Sequence, residues 1–462
     1  MRDIPADIFK AYDIRGIVGS TLTPVITKLI GRAVGSQARD LGHFAVVVGR
    51  DGRLSSPELA SALIEGLRGA GVDVIDIGMV TTPMAYFAAY HMETGAAAMV
   101  TGSHNPPEYN GIKIVLGGEA LHGDAIQALL VRIKGGILHE GKGALRHVDV
   151  SEAYIQRIAD DIHPARPMKV LVDAGNGVAG AYAPTLFRAL GCEVEELYCE
   201  VDGRFPNHHP DPSIPENLKD LQARLRCSDA DIGFAFDGDG DRLWVVDKSG
   251  KVINPDSLLM LFAENVLARN PGALIIYDVK CTLHLQRWIA DRGGRSMIWK
   301  TGHSVIKAKM RETGALLAGE FSGHIFFIDR WYGFDDGLYA GARLLELVSH
   351  WEMGLDGLAS LPYSTATPEL RLGAGQFNVE DLLKRLDSDP ASWGASRVIT
   401  VDGLRIEYEH GFALIRMSNT TPDLIMRFEG DSPDAMRQVQ ESVRSRLAML
   451  APELCTWLEA TK

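Results

Sequence analysis

Apolar, β-branched runs recur along this chain, and three of them end the same way. Phe44 to Asp51, Val170 to Asp173 and Ala273 to Asp278 each read as a strand that stops at an aspartate. Each leads into residues with helical spacing of apolar positions: Ser56 to Gly69, Ala181 to Leu190 and Thr282 to Arg292. Further on, each third holds a second short apolar run: Gly95 to Val100, Asp231 to Phe236 and Ala315 to Gly319. Each second run opens into a loop of unusual composition. Strands alternating with helices predict mixed, largely parallel sheets, so the first three quarters read as three similar α/β domains. From about Ser364 the texture changes. A helical stretch near Val379 to Leu386, an Asp402-Gly403 turn, strands His410 to Met417 and Leu424 to Phe428, and a closing helix from Ser432 to Leu450 predict a smaller α+β domain. The expected divisions are 1–148, 149–252, 253–364 and 365–462.

Composition narrows the function classes. The 462 residues carry a formal net charge of −13 and no long basic run, which argues against a nucleic-acid surface. The five cysteines (192, 199, 227, 281 and 455) are odd in number and hold no CxxC pair, as expected of reduced thiols in a cytoplasm. The opening residues have no apolar core, and no apolar run reaches the ~18 residues of a membrane span. A cytoplasmic protein acting on small molecules, with no nucleic-acid or membrane partner, is the expectation.

Four loops carry candidate chemistry. Thr101-Gly-Ser-His-Asn-Pro106 sets Ser103 beside His104 on a turn at a strand's C-terminal end, since Pro106 and Pro107 stop the strand. Open α/β sheets place ligands there. Asp237-Gly-Asp-Gly-Asp-Arg242 holds three carboxylates two residues apart with glycines between, a cage for a hard cation such as Mg²⁺. It is not an EF-hand, because Arg242 and Lys248 stand where glycine and glutamate are needed. A phosphate on Ser103 would complete the ion's shell. Gly319-Glu-Phe-Ser-Gly-His324, read as extended, puts Glu320, Ser322 and His324 on one face suited to vicinal sugar hydroxyls. Phe321 would point away from that face. Arg416-Met-Ser-Asn-Thr-Thr-Pro422, with Ser418, Asn419 and Thr420, reads as an anion cradle between two strands. Lys113, His303, Tyr12, Arg15 and Lys280 are weaker candidates. Each loop alone is also compatible with an ordinary polar turn.

Taken together and in order, these loops resemble the α-D-phosphohexomutase superfamily, and Gly319 to His324 is most similar to its bacterial phosphomannomutase/phosphoglucomutase branch. The resemblance spans the chain, including Tyr12-Asp-Ile-Arg-Gly16. It implies four domains around a central cleft, a phosphoserine at Ser103, and Mg²⁺ on Ser103, Asp237, Asp239 and Asp241. It further implies sugar contacts from Glu320, Ser322 and His324. Phosphate would be held by Arg416, Ser418, Asn419 and Thr420, with help from Arg242. Lys113 is the first candidate for proton exchange and His303 the second. The implied reaction interconverts hexose 1- and 6-phosphates of mannose and glucose, with a glucose or mannose 1,6-bisphosphate as intermediate and activator, in a monomer. Phosphoglucosamine mutase is the nearest alternative. A metal-dependent serine phosphatase would share Ser103 and the aspartates without needing the sugar loop. A non-catalytic sugar-phosphate sensor would not need Ser103 beside three metal ligands.

Overall fold

The computed structural model describes residues 4–351, 356–373, 378–387, 393–418, 423–450 and 452. Three α/β units follow one another, and their sheets share one topology. In the first, β1 (Ala45–Arg50) pairs parallel with both β2 (Asp73–Met79) and β3 (Ala96–Val100), and β4 (Tyr109–Leu116) returns antiparallel on β3. The second repeats this with β5 (Lys169–Asp173), β6 (Glu193–Leu197), β7 (Ile232–Phe236) and β8 (Leu243–Asp247). The third does so with β9 (Leu274–Asp278), β10 (Arg295–Trp299), β11 (Leu317–Gly319) and β12 (Ile325–Phe327). The spatial order in every unit is fourth, third, first, second. The central β3, β7 and β11 are buried along their whole length, which explains their unbroken apolar sequence.

This topology positions the chemistry. In each unit the third strand ends and the chain turns back antiparallel, so its connecting loop lies at the sheet's C-terminal end. The three loops singled out by composition are these three connections. The aspartates ending the first strands share a job as well. Asp51, Asp173 and Asp278 each accept the backbone N–H two residues on, from Arg53 (3.0 Å), Gly175 (2.9 Å) and Lys280 (3.2 Å), making an Asx turn. Asp51 also accepts the N–H of Gly102 (3.1 Å), and Asp278 that of Phe321 (3.3 Å), tying first strand to special loop. In the second unit Asp173 instead faces His208.

The fourth unit is an antiparallel meander, β13 (Leu404–Tyr408), β14 (Gly411–Met417) and β15 (Asp423–Gly430), with helices Val379–Asp387 and Pro433–Leu450 packed on it. Its core is separate, whereas one apolar cluster runs continuously through the first three units. A small patch (Val279, Leu283, Phe412 and Leu414) joins it to the third. Arg405 adds donations to the Val279 and Cys281 carbonyls at 2.7 and 2.6 Å.

Some boundaries differ from expectation. The helix expected at Ala181 to Leu190 starts as a single tight turn, Val178–Ala181, and becomes α-helical at Ala183–Ala189, with Pro184 in its first turn. The last strand is longer than Leu424 to Phe428. No helix among the described residues is long and apolar enough to cross a membrane.

One buried carboxylate gives a measurable consequence. Asp336 caps helix Gly337–Ser349 by accepting Tyr339 N–H (2.9 Å), and it accepts the Tyr154 hydroxyl at 2.8 Å. Burial pushes its carboxyl up to about 7, against ~3.9 in an unfolded chain. Between those values the folded state holds a proton that the unfolded state has released, so this group's contribution to stability falls as pH rises. Thermal melts near pH ~5 and pH ~8 should show a smaller drop in Tm for Asp336→Asn than for the unsubstituted protein. An equal drop would contradict this assignment.

Candidate active site

Ser103 sits on a turn that its neighbours hold in a costly conformation. Its φ is +49°, a region non-glycine residues adopt at a cost of ~1–3 kcal/mol. Thr101 Oγ1 accepts its N–H at 2.8 Å. Arg53, missed in the sequence reading, does more. Its buried guanidinium donates to the carbonyls of Ser103 (2.7 Å), Asn105 (2.5 Å), Pro106 (2.6 Å) and Tyr109 (3.1 Å), and Asp51 lies 3.3 Å from its Nε. A Cβ at Gly102 would come within 2.4 Å of that guanidinium, which is why glycine precedes the serine. Ser103 Oγ lies 3.1 Å from Asp237 Oδ2 and 3.1 Å from His104 Nδ1. Burial, then Arg242 and Arg15, hold His104 well below the usual histidine range, so it is neutral. Arg15 donates to Asn105 of the same turn at 2.5 Å.

The acidic loop presses against this turn. A Cβ at Gly238 would stand 2.4 Å from the Ser103 carbonyl, so the glycine permits the approach. Asp237, Asp239 and Asp241 are fully buried, with ligand oxygens within 4.8 Å of one another. Lys113 Nζ lies 2.7 Å from Asp239 Oδ2 and 2.5 Å from Asp241 Oδ2. Thr82 donates its hydroxyl to Asp239 Oδ2 at 2.5 Å. Arg242 Nε is 3.7 Å from Asp237. Asp239 Oδ1 is nevertheless buried with no hydrogen-bond partner. Asp237 is pushed well above the carboxylate range by burial and then by Asp241 and Asp239. An orphaned carboxylate oxygen and a carboxylate whose charge is disfavoured by burial and by its neighbours are what a hard divalent cation would relieve, so the residues fit such an ion.

Lys113, expected to exchange a proton, is held between two of these carboxylates. Burial opposes its charge, but Asp239 and Asp241 outweigh burial and raise its pKa well above the lysine value. Two histidines stand in opposite states nearby, their rings 5.5 Å apart. Burial, then Lys307 and Lys113, hold His303 well below the usual range. Its Nδ1 is 3.4 Å from Asp335, which also binds Lys307 at 2.6 Å. His324 is opposed by burial and by Arg242 Nε, 3.2 Å away. Its two carboxylate neighbours prevail: Asp241 is 3.3 Å from Nε2 and Glu320 2.9 Å from Nδ1. Its pKa rises to about 9.

Glu320, Ser322 and His324, expected to face a sugar, meet, but not in the expected way. Glu320 to Gly323 form a tight turn, closed by Gly323 N–H to the Glu320 carbonyl and Glu320 N–H to the His324 carbonyl. Glu320 and His324 converge because the chain folds back, and Ser322 Oγ lies 3.1 Å from His324 Nδ1. Glu320 also accepts Gly302 N–H at 2.5 Å. Gly302 has a φ of +135°, and a Cβ there would strike the Tyr12 ring at 2.8 Å. Phe321 is not turned away from the site. It lines the cleft, with the Arg427 guanidinium 4.1 Å over its ring.

Across from this turn Lys280 lies 3.9 Å from Asp278 and 3.4 Å from Glu369, and Arg416 lies 3.0 Å from Asp402. Tyr12, Arg15, His104, Arg242, Lys280, His303, Glu320, Ser322, His324, Arg416 and Ser418 line one cleft of about 620 Å³. That volume suits a small molecule of ~300–1,000 Å³ sites. Ser103, Lys113 and the three aspartates are buried. Contacts with His104, Arg242 and His324, and that of Lys113 with Asp241, join these residues to the cleft wall. Asn419 and Thr420 lie outside the described residues. The residues missed from sequence, Arg53, Thr82, Asp335 and Glu369, act on partners far along the chain.

Comparison with known proteins bears on this arrangement. Family models described as phosphoglucomutase/phosphomannomutase, alpha/beta/alpha domains I, II and III, match residues 6–136, 152–250 and 254–364, and the C-terminal domain model matches 376–446. A phosphomannomutase/phosphoglucomutase of Pseudomonas aeruginosa is 53% identical over 445 residues, 96% of each chain. A phosphoglucomutase of Neisseria gonorrhoeae is 52% identical, covering 96% of this chain and 97% of its own. The crystal structure of a phosphoglucomutase/phosphomannomutase family protein from Burkholderia thailandensis superimposes with a TM-score of 0.93 at 55% identity, covering 97% of this chain and 99% of that one. By sequence along its whole length and by fold, the chain belongs to the phosphoglucomutase/phosphomannomutase family.

Proposed function

We propose that this chain interconverts hexose 1-phosphates and 6-phosphates of glucose and mannose, carrying a phosphoryl group on Ser103 between turnovers. One observation carries the reading. Ser103 Oγ stands 3.1 Å from an acidic cage beside a cleft whose other wall holds Arg416, Lys280 and Ser418. Relatives near 50% identity named phosphomannomutase/phosphoglucomutase support the same reaction, and phosphoglucosamine mutase is not favoured.

The substrate's ester phosphate rests on Arg416, Lys280 and Ser418, with Asn419 and Thr420 assigned to the same cradle. Glu320, Ser322 and His324 take the 3- and 4-hydroxyls. The C6 hydroxyl oxygen attacks phosphorus. Its P–O bond forms as the bond to Ser103 Oγ breaks, and its proton passes to an imidazole. His303 is neutral and can accept that proton, while His324 is protonated and can give one to the departing serine oxygen. The 1,6-bisphosphate then turns end over end, and its C1 phosphate returns to Ser103. Lys113 stays charged and offsets the aspartates. Mg²⁺, held by Asp237, Asp239, Asp241 and the phosphoserine, would supply withdrawal of charge from the transferring group. Glucose and mannose share their 3- and 4-hydroxyls, so a site gripping only these accepts both.

The phosphoserine, metal, sugar and phosphate tasks fall on residues 1–148, 149–252, 253–364 and 365–462 in this reading. The fourth unit, with its separate core, acts as the lid that excludes water from the phosphoserine. In this reading the protein is a monomer at work in the cytoplasm.

Three outcomes follow. In a coupled assay Ser103→Ala should lower kcat by at least ~10⁴-fold, as loss of a covalent nucleophile does; near-normal turnover would falsify the phosphoserine role. His303→Asn should lower kcat by ~10²–10³-fold while KM moves little, and His324→Asn, which also loses a sugar contact, should lower kcat and raise KM. A loss confined to KM would make them binding residues only. Glucose and mannose 1-phosphates should give kcat/KM within about tenfold of each other. A thousandfold preference would mean that the site also reads C2.

A further inference from the structure

Asp335 is a fully buried carboxylate of the third unit that does not itself line the cleft. An antiparallel bridge to Phe326 of β12 fixes its backbone. Helix His303–Thr313 sets two residues against it. His303 and Lys307 are four positions apart and so share one face of that helix. Lys307 Nζ lies 2.6 Å from Asp335 Oδ1 and 4.3 Å over the Tyr86 ring, which holds it from the first unit. His303 Nδ1 lies 3.4 Å from the other oxygen, Oδ2.

Two orphaned atoms meet there. His303 Nδ1 and Asp335 Oδ2 are both shut off from solvent, and neither has a hydrogen-bond partner among the described residues. A carboxylate oxygen can only accept, while a neutral imidazole has one nitrogen with a proton and one without. With the proton on Nε2, the bare Nδ1 would face a carboxylate oxygen, and two buried acceptors would stay unpaired. With the proton on Nδ1, a small turn of the ring lets the same two atoms satisfy each other. The bond made by one ring nitrogen sets the state of the other. His303 lines the cleft, so Nε2 is the bare nitrogen left to meet a ligand. A lone carboxylate beside the ring would also favour an imidazolium, which accepts nothing. Lys307 counters that: after burial, it is the largest influence holding His303 well below the usual histidine range.

We propose that Asp335 is a positioning residue for phosphoryl transfer: it keeps the His303 proton on Nδ1 so that Nε2 is the acceptor, and Lys307 balances its charge. This assignment rests on the mutase activity proposed for the chain. The Nε2 lone pair takes the C6 hydroxyl proton as that oxygen bonds phosphorus and the bond from phosphorus to Ser103 Oγ breaks. The imidazolium so formed keeps its Nδ1 proton on Asp335, whose charge stabilises it. In the return step Nε2 gives its proton to the C1 oxygen as the C1 phosphate passes to Ser103.

Asp335→Asn is the informative variant, because Lys307 dictates how the new amide sits. The ammonium needs an acceptor, so it takes the amide oxygen and turns the NH₂ group toward His303, where Nδ1 must then be bare. Long-range ¹H–¹⁵N spectra of the full chain labelled with ¹⁵N-histidine separate protonated from bare ring nitrogens, and the His303 signals are those lost in His303→Asn. At neutral pH the unsubstituted protein should show Nδ1 protonated and Nε2 bare, and Asp335→Asn the reverse, with thermal melts showing the variant folded. Its kcat should fall by at least ~10²-fold while KM moves little, the scale of a wrong imidazole tautomer. In a His303→Asn background the same substitution should lower kcat by less than ~3-fold more, since the two residues act as a unit. A proton on Nε2 in the unsubstituted protein would overturn the assignment whether or not the variant folds. So would an unchanged tautomer in Asp335→Asn, or an equal loss in both backgrounds, which marks a merely structural carboxylate. The spectra do not depend on turnover. A wrong tautomer in an active mutase therefore strikes this assignment alone, and the expected tautomer in a chain without mutase activity strikes the proposed reaction instead.

Discussion

Three fully buried carboxylates stand beside the hydroxyl proposed to carry a phosphate, and much of the molecule is arranged to make that tolerable. Moving such charges out of water without compensation is prohibitive. Compensation comes from several places along the chain. Lys113 reaches in from β4, Thr82 from the start of a helix, His324 from the third unit, and Arg242 from the loop itself. Even so, one Asp239 oxygen and the protonation of Asp237 remain unresolved within the chain. That residue of unmet charge is the physical case for a divalent cation. It also explains why the serine is locked so firmly: Arg53 ties four carbonyls around it, so the turn cannot relax away from the acidic loop.

The three α/β units share more than an outline. Each first strand ends in an aspartate that closes an Asx turn, and each third strand ends in the loop that faces the cleft. Equivalent positions have been given different tasks: a hydroxyl in the first unit, carboxylates in the second, and a carboxylate with an imidazole in the third. A repeated scaffold brings the three loops to one place because its topology always delivers that connection to the same end of the sheet. The fourth unit adds its cations from the far wall.

Much of this was legible in the sequence, for identifiable reasons. Glycines beside Ser103 and among the aspartates advertise close backbone approach, and the structure shows what approaches: the Arg53 guanidinium at Gly102 and the Ser103 carbonyl at Gly238. Spacing misled at Glu320 to His324, because alternation over five residues fits a strand and a tight turn equally well. Phe321 was discounted on that account and lies under Arg427. Sequence shows Lys113 near a loop but not the two carboxylates that it meets, Asp239 and Asp241. Arg53 and Thr82 were invisible as site residues, since their partners are 50 and 157 residues away. Nothing local marks such long-range pairs beyond a polar residue just after a strand or at a helix start.

The most direct test follows the phosphoryl group itself. Protein carrying ³²P on Ser103 would be mixed with unlabelled glucose 1-phosphate for a single turnover, and label on protein and on sugar counted separately. The account predicts that label leaves the serine in step with product formation and appears on the hexose at C6. Product forming while the label stays on the protein would contradict it.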